Sequence, residues 1–415
     1  MSGPAPHDPY RALKVPGFRR YLTGNLLATM GFQMQGVAVG WELYERTHSA
    51  LALGLVGLVQ IIPMVLLFLP VGHLVDRYDR RKVVMVALTG LALAALGLAA
   101  VSRMNGPIPL VYAFLFLSGI ARSLLGPAKS ALMPDVVRLD SFQNAVAWNS
   151  GGWNMASMVG PALGGALLAA THSPMIVYLT HAALELSFVA LLAGVTVYGE
   201  RQPAGTATLD SLLEGARYVL RTRILLAAIT LDLFAVLFGG AVALLPVYAK
   251  DILHVGPAGL GGLLAAEAIG AVATALVMAH LPPLQRAGPA LVKAVVMFGL
   301  ATIAFGLSKN YVLSLAALGV AGSADSVSVV IRNTLAQLGT PNHLRGRVSA
   351  VNSLFIGTSN QLGEFESGAL AALVGPVASV VAGGVATVAV VGIVAMKWPE
   401  VRRMGRLEEA VRMSP

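Results

Sequence analysis

The chain has 415 residues, 56% hydrophobic and 12% charged, with a formal net charge of +9. A soluble globular protein carries about twice that charged fraction, and the mean hydropathy of +0.74 excludes an ordinary soluble domain. There is no cysteine, which excludes disulfide and thiol chemistry and leaves the compartment open.

Met1–Arg20 is Pro-rich and basic with no apolar core. It does not resemble a signal peptide, so the first apolar segment is expected to be retained. Twelve hydrophobic segments follow, at 18–43, 52–75, 82–102, 108–133, 143–170, 174–197, 223–248, 258–281, 290–307, 311–338, 347–372 and 375–396. About 20 apolar residues cross a bilayer core as a helix. The uncharged runs Leu51–Val71, Val83–Val101 and Leu370–Met396 meet that length outright. The many Gly and Pro residues suit membrane helices, where small residues let backbones approach. The predicted class is an all-α membrane protein.

Basic residues sort by side. Arg11, Lys14, Arg19 and Arg20 precede segment 1, and Arg77, Arg80, Arg81 and Lys82 lie between segments 2 and 3. Arg201, Arg217, Arg221 and Arg223 lie between segments 6 and 7, Arg345 and Arg347 between 10 and 11, and Lys397, Arg402, Arg403, Arg406 and Arg412 follow segment 12. The other side has Arg46, Arg103, Lys250 and Lys309. This bias places both termini in the cytoplasm, on the inner side of the membrane. It also accounts for the positive charge without nucleic acid.

The predicted organisation is a cytoplasmic segment 1–17, a six-helix bundle 18–198, a linker 199–222, a second bundle 223–397 and a cytoplasmic tail 398–415. In the linker, Leu209, Leu212, Leu213, Ala216 and Leu220 share one helical face, and Ser211 with Glu214 fits a capping box. A short amphipathic helix on the inner membrane surface is expected there.

Shifted by 203 residues, the chain matches itself without a gap for about fifty positions, as a duplicated half-protein would. Gly119–Arg122 falls on Gly322–Asp325, Lys129 on Arg332, and Asn149-Ser150 on Asn352-Ser353. Gly160, Gly165 and the residues after them fall on Gly363, Gly368 and theirs. The mismatches set Arg122, Pro161 and Leu163 against Asp325, Glu364 and Glu366.

Residues 72–82 read GHLVDRYDRRK. Gly72, Asp76, Arg77, Arg80 and Arg81 resemble the signature loop of the major facilitator superfamily, with Asp79 where that family usually has Gly. The resemblance covers the whole chain. It implies the major facilitator fold: twelve transmembrane helices in two pseudo-symmetric six-helix bundles, working by alternating access. It also implies that Asp76 closes a cytoplasmic gate against the helix end at Gly346–Val348. A carboxylate at a positive helix end gains about 0.3–2 kcal/mol. The basic residues also serve as topology anchors.

Gly160, Pro161, Gly164 and Gly165 resemble the core of the family's antiporter signature, which favours export. Plain packing of segment 5 on segment 8 is the alternative. Arg122 with Gly126 resembles the family's basic motif on the fourth helix, linked with proton coupling. Independently, an Arg within a membrane helix costs about 2.5 kcal/mol or more unless it meets water or a carboxylate, so a cavity position is expected.

Glu185, Asp232, Glu267, Asp325, Glu364 and Glu366 are acids within predicted segments. Intramembrane acids are candidate proton sites or structural ion-pair partners. Asp325 and Arg332, two turns apart on one face, are expected to share a groove without touching. Glu364 and Glu366 point to nearly opposite sides, and Glu366, which shares a face with Asn352 and Ser359, is favoured for the cavity. Glu185 is expected to pair with His181. The resemblance places segments 1, 4, 7 and 10 around the cavity. Arg122, Asp232 and Asp325 therefore rank first, then Glu267 and the segment 11 acids. Asn25, Gln33, Gln35, Asn149, Trp153, Asn154 and Asn352 add polar and aromatic candidates.

No Walker loop, metal cluster or nucleophile triad is found in the sequence, so neither ATP hydrolysis, an enzyme activity, a cofactor nor a metal is expected. Trp41–Ala50, Arg332–Gln337 with Arg345–Ser349, and Ser359–Glu366 are similar to the bacterial branch that contains the enterobactin exporter and the macrolide efflux proteins. That resemblance implies a monomer in a lipid bilayer that exports a small hydrophobic or amphipathic molecule, such as a drug or siderophore, in exchange for protons. A lysophospholipid or other lipid flippase and an uptake symporter are alternatives. A sensor would need a sizeable soluble domain, and a channel an open polar path.

Overall fold

The computed structural model describes residues 8–137, 141–196, 209–239, 241–282, 284–341 and 344–405. Within them the secondary structure is helical. The first half comprises α1 (Pro16–Thr47), α2 (Ala50–Arg77), α3 (Arg80–Arg103), α4 (Ile108–Val136), α5 (Phe142–Thr171) and α6 (Pro174–Ala193). A short α7 (Leu209–Arg221) precedes α8 (Arg223–Phe238) and the one-turn α9 (Leu245–Val247). The second half continues with α10 (Gly256–His280), α11 (Ala287–Leu307), α12 (Tyr311–Leu338), α13 (Arg345–Val374), α14 (Pro376–Lys397) and α15 (Pro399–Arg403).

Local chemistry sets the ends. Ser49 caps α2 and Asn310 caps α12 by accepting from Ala52 N and Leu313 N, and prolines open α1, α6, α10 and α14, where a missing N–H costs nothing. Asp79 caps α3, its Oδ1 accepting from Arg81 N at 2.9 Å and Lys82 N at 3.3 Å. Its φ is −62°, so the loop has no need of the glycine usual at that position.

Among the described residues, nine stretches are long and apolar enough to cross a membrane. Helices α1, α5 and α13 are as long but more polar, because each turns a polar face to the central cavity. The seventh predicted segment, 223–248, is not one helix. After α8 the backbone passes Gly239 into a 3₁₀ turn (Ala241–Leu244), α9, and a π-helical turn (Tyr248–Ile252). A Cβ on Gly239 would lie 2.4 Å from the Phe298 ring, so the chain breaks where another helix presses on it.

In the first half α1 packs on α5 and α6, α3 on α4 and α6, and α2 on α4. In the second, α8 packs on α13 and α14, α11 on α12 and α14, and α10 on α12. The halves meet along α2–α13 and α5–α10. The duplication is visible in these seams. A Cβ on Gly165 would strike Gly261 of α10, and one on its repeat mate Gly368 would strike Gly54 of α2. Gly160 lies against α1 at Met30 and Gln33, and its mate Gly363 against α8 at Val236 and Leu237. Gly119 seats α4 on α2, as Gly322 seats α12 on α10. Each pair makes the same contact with the halves exchanged, as a pseudo-two-fold axis requires.

The two faces of the molecule differ. At the face away from the chain ends, one apolar cluster joins both halves, including Val37, Leu43, Leu53, Leu244, Leu260 and Phe305. At the terminal face two separate clusters exist, one around Phe18, Leu88, Leu132 and Phe188, the other around Leu231, Leu291, Ile331 and Leu335. A Cβ on Gly126, Gly151 or Gly346 would meet nothing within 4 Å. The halves are therefore closed on the far face and parted toward the chain ends. The amphipathic α7 docks on the start of α13, where Val219 packs with Leu344 and Val348 and a Cβ on Gly215 would lie 2.9 Å from the Arg347 backbone. The capping role expected of Ser211 concerns a side chain outside the described residues.

Candidate functional site: a polar cavity between the halves

A cavity of about 500 Å³ lies on the pseudo-two-fold axis. The first half contributes Gln33 and Gln35 from α1, Gln60 from α2, Arg122 from α4, and Trp153 and Asn154 from α5. The second half contributes Glu267 from α10, Asp325 from α12, and Gln361 and Glu364 from α13. Much of the remaining lining is apolar, with Val242, Ala243 and Pro246 of the broken seventh segment among it. Most of the wall therefore matches apolar surface, and a few convergent polar groups set orientation.

The charge is lopsided. Arg122 lies 3.7 Å over the Phe32 ring centroid, a cation–π contact that positions the guanidinium at the cavity wall. Among the described residues it makes no ion pair, though Glu185 and Glu364 are close enough to act on it through space. Glu267, Asp325 and Glu364 face it from the other half.

Several expected positions fall elsewhere. Arg332 is buried in an ion pair with Asp232 of α8, both 7% exposed, so these two act as a pair within the second half and do not line the main cavity. Asp325 does line it, and also borders a small void with Asp232. Asn149 belongs to a chain in which Lys129 Nζ donates to Asn25 Oδ1 at 2.7 Å and Asn25 Nδ2 donates to Asn149 Oδ1 at 2.9 Å. Asn352 is half-buried and is not part of the lining. The preference for Glu366 is overturned. Glu364 lines the cavity, close to α2, where a Cβ on Gly57 would lie 2.9 Å from its Oε2. Glu366, 200° around the helix, is half-buried beside Ser367. Ser359 on that face is buried and bonded to the Phe355 carbonyl.

The expected Glu185–His181 pair is present, with Nε2 to Oε1 at 3.1 Å. The helix 5 glycines serve two seams: Gly160 and Gly164 admit α1, whereas Gly165 and the Pro161 carbonyl meet α10. Of the loop motif, Arg80 pairs with Asp135 of α4 at 2.9 Å and Arg81 donates to the carbonyls of Val195 (3.0 Å) and Ala193. Gly72 lies within α2, and Arg77 is exposed at its end. The side chain of Asp76 is outside the described residues. At the opposing helix end, Arg347 pairs with Glu214 of α7, and Arg345 Nε donates to the carbonyls of Gln337 (3.0 Å) and Thr340 (3.2 Å).

One feature of the far face was not legible in the sequence. Lys250 pairs with Glu45 at 2.7 Å, Tyr44 OH donates to Asp251, and the ammonium lies 6.0 Å over the Tyr44 ring. These four residues tie the end of α1 to the π-helical turn across the two halves. Nearby, Tyr178 OH donates to Glu42 Oε2 at 2.8 Å, and Arg46 holds Oε1 at 3.1 Å.

Two pseudo-symmetric helical bundles enclosing a polar cavity define a membrane transporter of the major facilitator superfamily. Within it, the chain belongs to the family described as transmembrane secretion effector, whose model matches residues 7–412. It is 27% identical over 400 residues to the enterobactin exporter EntS of Escherichia coli O1:K1, covering 96% of each chain. The Citrobacter koseri exporter of the same name is 27% identical over 382 residues, with 92% and 91% covered. Among solved structures, a bacterial homologue of the human lysosomal transporter Spinster, inward-facing and occupied, superposes with a TM-score of 0.72 at 14% identity, over 95% of this chain and 99% of that one. A peptide transporter POT in complex with sulfate gives 0.72 at 12% identity, over 96% and 100%. At such identities these likenesses concern the fold alone.

Proposed function

We propose that this protein exports a small amphipathic molecule across the bacterial inner membrane in exchange for protons. The carrying observation is the cavity itself: closed on the far face, parted toward the chain ends, and lined by one cation and three acids on an otherwise largely apolar wall. With both termini in the cytoplasm, as the distribution of basic residues supports, this is the cytoplasm-open state in which an exporter loads its cargo. Similarity to enterobactin exporters favours outward movement. Protons returning through the cavity would be taken by Glu267, Asp325 or Glu364, with Asp232 beside them, since carboxylates in apolar surroundings bind protons readily. Arg122 then balances their charge or holds an anionic group of the cargo.

The switch to the outward state would bring Asp76 to the start of α13, where Arg345 and Arg347 presently hold other partners. Asp76→Asn should slow transport while leaving membrane insertion intact, and unchanged transport would remove Asp76 from the gate.

Purified protein in liposomes with an imposed pH gradient tests the main reading. Substrates would come from a growth screen in an efflux-deficient strain. Gradient-driven substrate movement against an opposite proton flux supports exchange. Substrate and protons moving together would make it a symporter. Lipid movement that ignores the gradient would replace both with a flippase.

A further inference from the structure

His181 and Glu185 stand one turn apart on α6, 0% and 2% exposed, and the transport scheme above does not use them. His181 Nε2 is 3.1 Å from Glu185 Oε1, and His181 Nδ1 is 2.7 Å from the side-chain oxygen of Gln35 on α1. Gln35 borders the cavity. Glu185 Oε2 is buried with no hydrogen-bond partner among the described residues. The fit is close: a Cβ on Gly31 would lie 2.9 Å from the imidazole, and Phe32 meets the ring edge-on at 6.2 Å.

The contacts constrain the protons. With the Gln35 oxygen facing Nδ1, Nδ1 must carry hydrogen. The Nε2–Oε1 contact then needs a second proton on one of those two atoms, since two lone pairs would repel. The pair so arranged is neutral and holds two protons. Removing one leaves a neutral imidazole and an ionised carboxylate. The remaining proton then belongs on Nε2, donating to Glu185, and Nδ1 becomes an acceptor. Gln35 can satisfy it only by rotating its amide so that the NH₂ faces the ring. At its other end the amide then presents an oxygen where it had presented N–H.

We propose that the His181–Glu185 pair binds one exchangeable proton, and that Gln35 relays its presence to the cavity as a swap between hydrogen-bond donor and acceptor. Its part in transport rests on the proton-exchange reading above. An ionised Glu185 keeps one buried oxygen without a hydrogen-bond partner among the described residues, a cost that nearby positive charge reduces. Arg122 and Lys129 of α4 act on Glu185 through space and offset that cost when the proton leaves. Helix α3 brings no ionisable residue between Lys82 and Arg103, and α5 brings none along its length. On α1, Glu42 is engaged by Tyr178 and Arg46. Arg122, which lines the cavity, is thus the charge through which cargo would bias the pair.

The test needs no cargo. The full chain, purified in detergent and labelled with ¹⁵N-histidine, is titrated over about pH 5 to 9, where an imidazole exchanges protons, and comparison with His181→Asn assigns the His181 signals. Infrared difference spectra follow the carboxyl stretch, assigned with Glu185→Gln. His181 should change its Nδ1–Nε2 pattern as one proton is released, and Glu185→Gln should lose that release. Gln35→Glu, which can only accept while ionised, should hold the proton to a pH higher by about one unit or more. A His181 pattern fixed throughout the titration would overturn the proposal, as would release unchanged in Glu185→Gln. Because neither readout involves transport, a pair that titrates in a protein whose flux ignores the pH gradient would refute proton exchange and leave this site standing.

Discussion

The two halves place a cation at matching positions within their helices and satisfy it differently. On α12, Arg332 is paired with Asp232 of α8. At the repeat position on α4, Lys129 donates to the amide of Asn25 on α1, itself held by Asn149, and makes no ion pair among the described residues. Duplication kept the cation and the helix contact, while the carboxylate stands in one half only. A buried ion pair contributes little net stability but is costly to break from one side, so the second half is locked where the first is adjustable. Arg122 of the first half faces Glu267, Asp325 and Glu364 of the second across the cavity. Under the proposed exchange, that difference is what would let protons and cargo compete for the cavity.

The comparison can be broken most sharply at the pair. Asp232→Ala leaves Arg332 buried and uncompensated and should cost about 3–5 kcal/mol, read as a lowered unfolding temperature in detergent. Adding Arg332→Met should recover most of the loss. Next come the repeat-related seams. Gly165→Leu and Gly368→Leu should each cost about 1–3 kcal/mol by overpacking, and similar losses from both would show that the pseudo-two-fold axis extends to energetics. A clearly harmless Gly368→Leu would confine the tight seam to α5–α10.

Smaller effects sharpen the contrast. Asn25→Asp supplies the first half with the missing carboxylate. It should stabilise the protein when Lys129 is present and destabilise it with Lys129→Met, a coupling of about 1–2 kcal/mol in a double-mutant cycle. The weakest expected effect is at the far face. Lys250 and Glu45 are 22% and 51% exposed, so their pair contributes at most about 1 kcal/mol. Lys250→Glu should still shift the population toward the state open on that face, and Glu45→Lys should restore it. Since the chain has no cysteine, a single Trp153→Cys reports access to the cavity from either side by thiol labelling.

Much of this architecture was legible in the sequence, because it depends on periodicity and spacing along one chain. Apolar segment lengths set the helix order, and the 203-residue repeat announced two related halves. An Arg in an apolar helix pointed to a cavity, and the i, i+4 spacing of His181 and Glu185 pointed to their contact. Residues within one helix have a fixed angular relation, so such readings transfer directly to space. Contacts between helices carry no such constraint. The rotation of α13 against α2 put Glu364 and not Glu366 on the cavity. The crossing of α8 and α12 gave Arg332 to Asp232, while Asp325 on the same helix faces the cavity. The break of the seventh segment at Gly239, pressed by Phe298, placed Lys250 and Asp251 against the end of α1. The approach of α1 to α6 at Gly31 set Gln35 on His181. Side-chain chemistry and helical period are properties of the chain. Which faces meet is a property of packing, decided by small residues acting together across distant segments, and it was the tertiary structure that assembled the site.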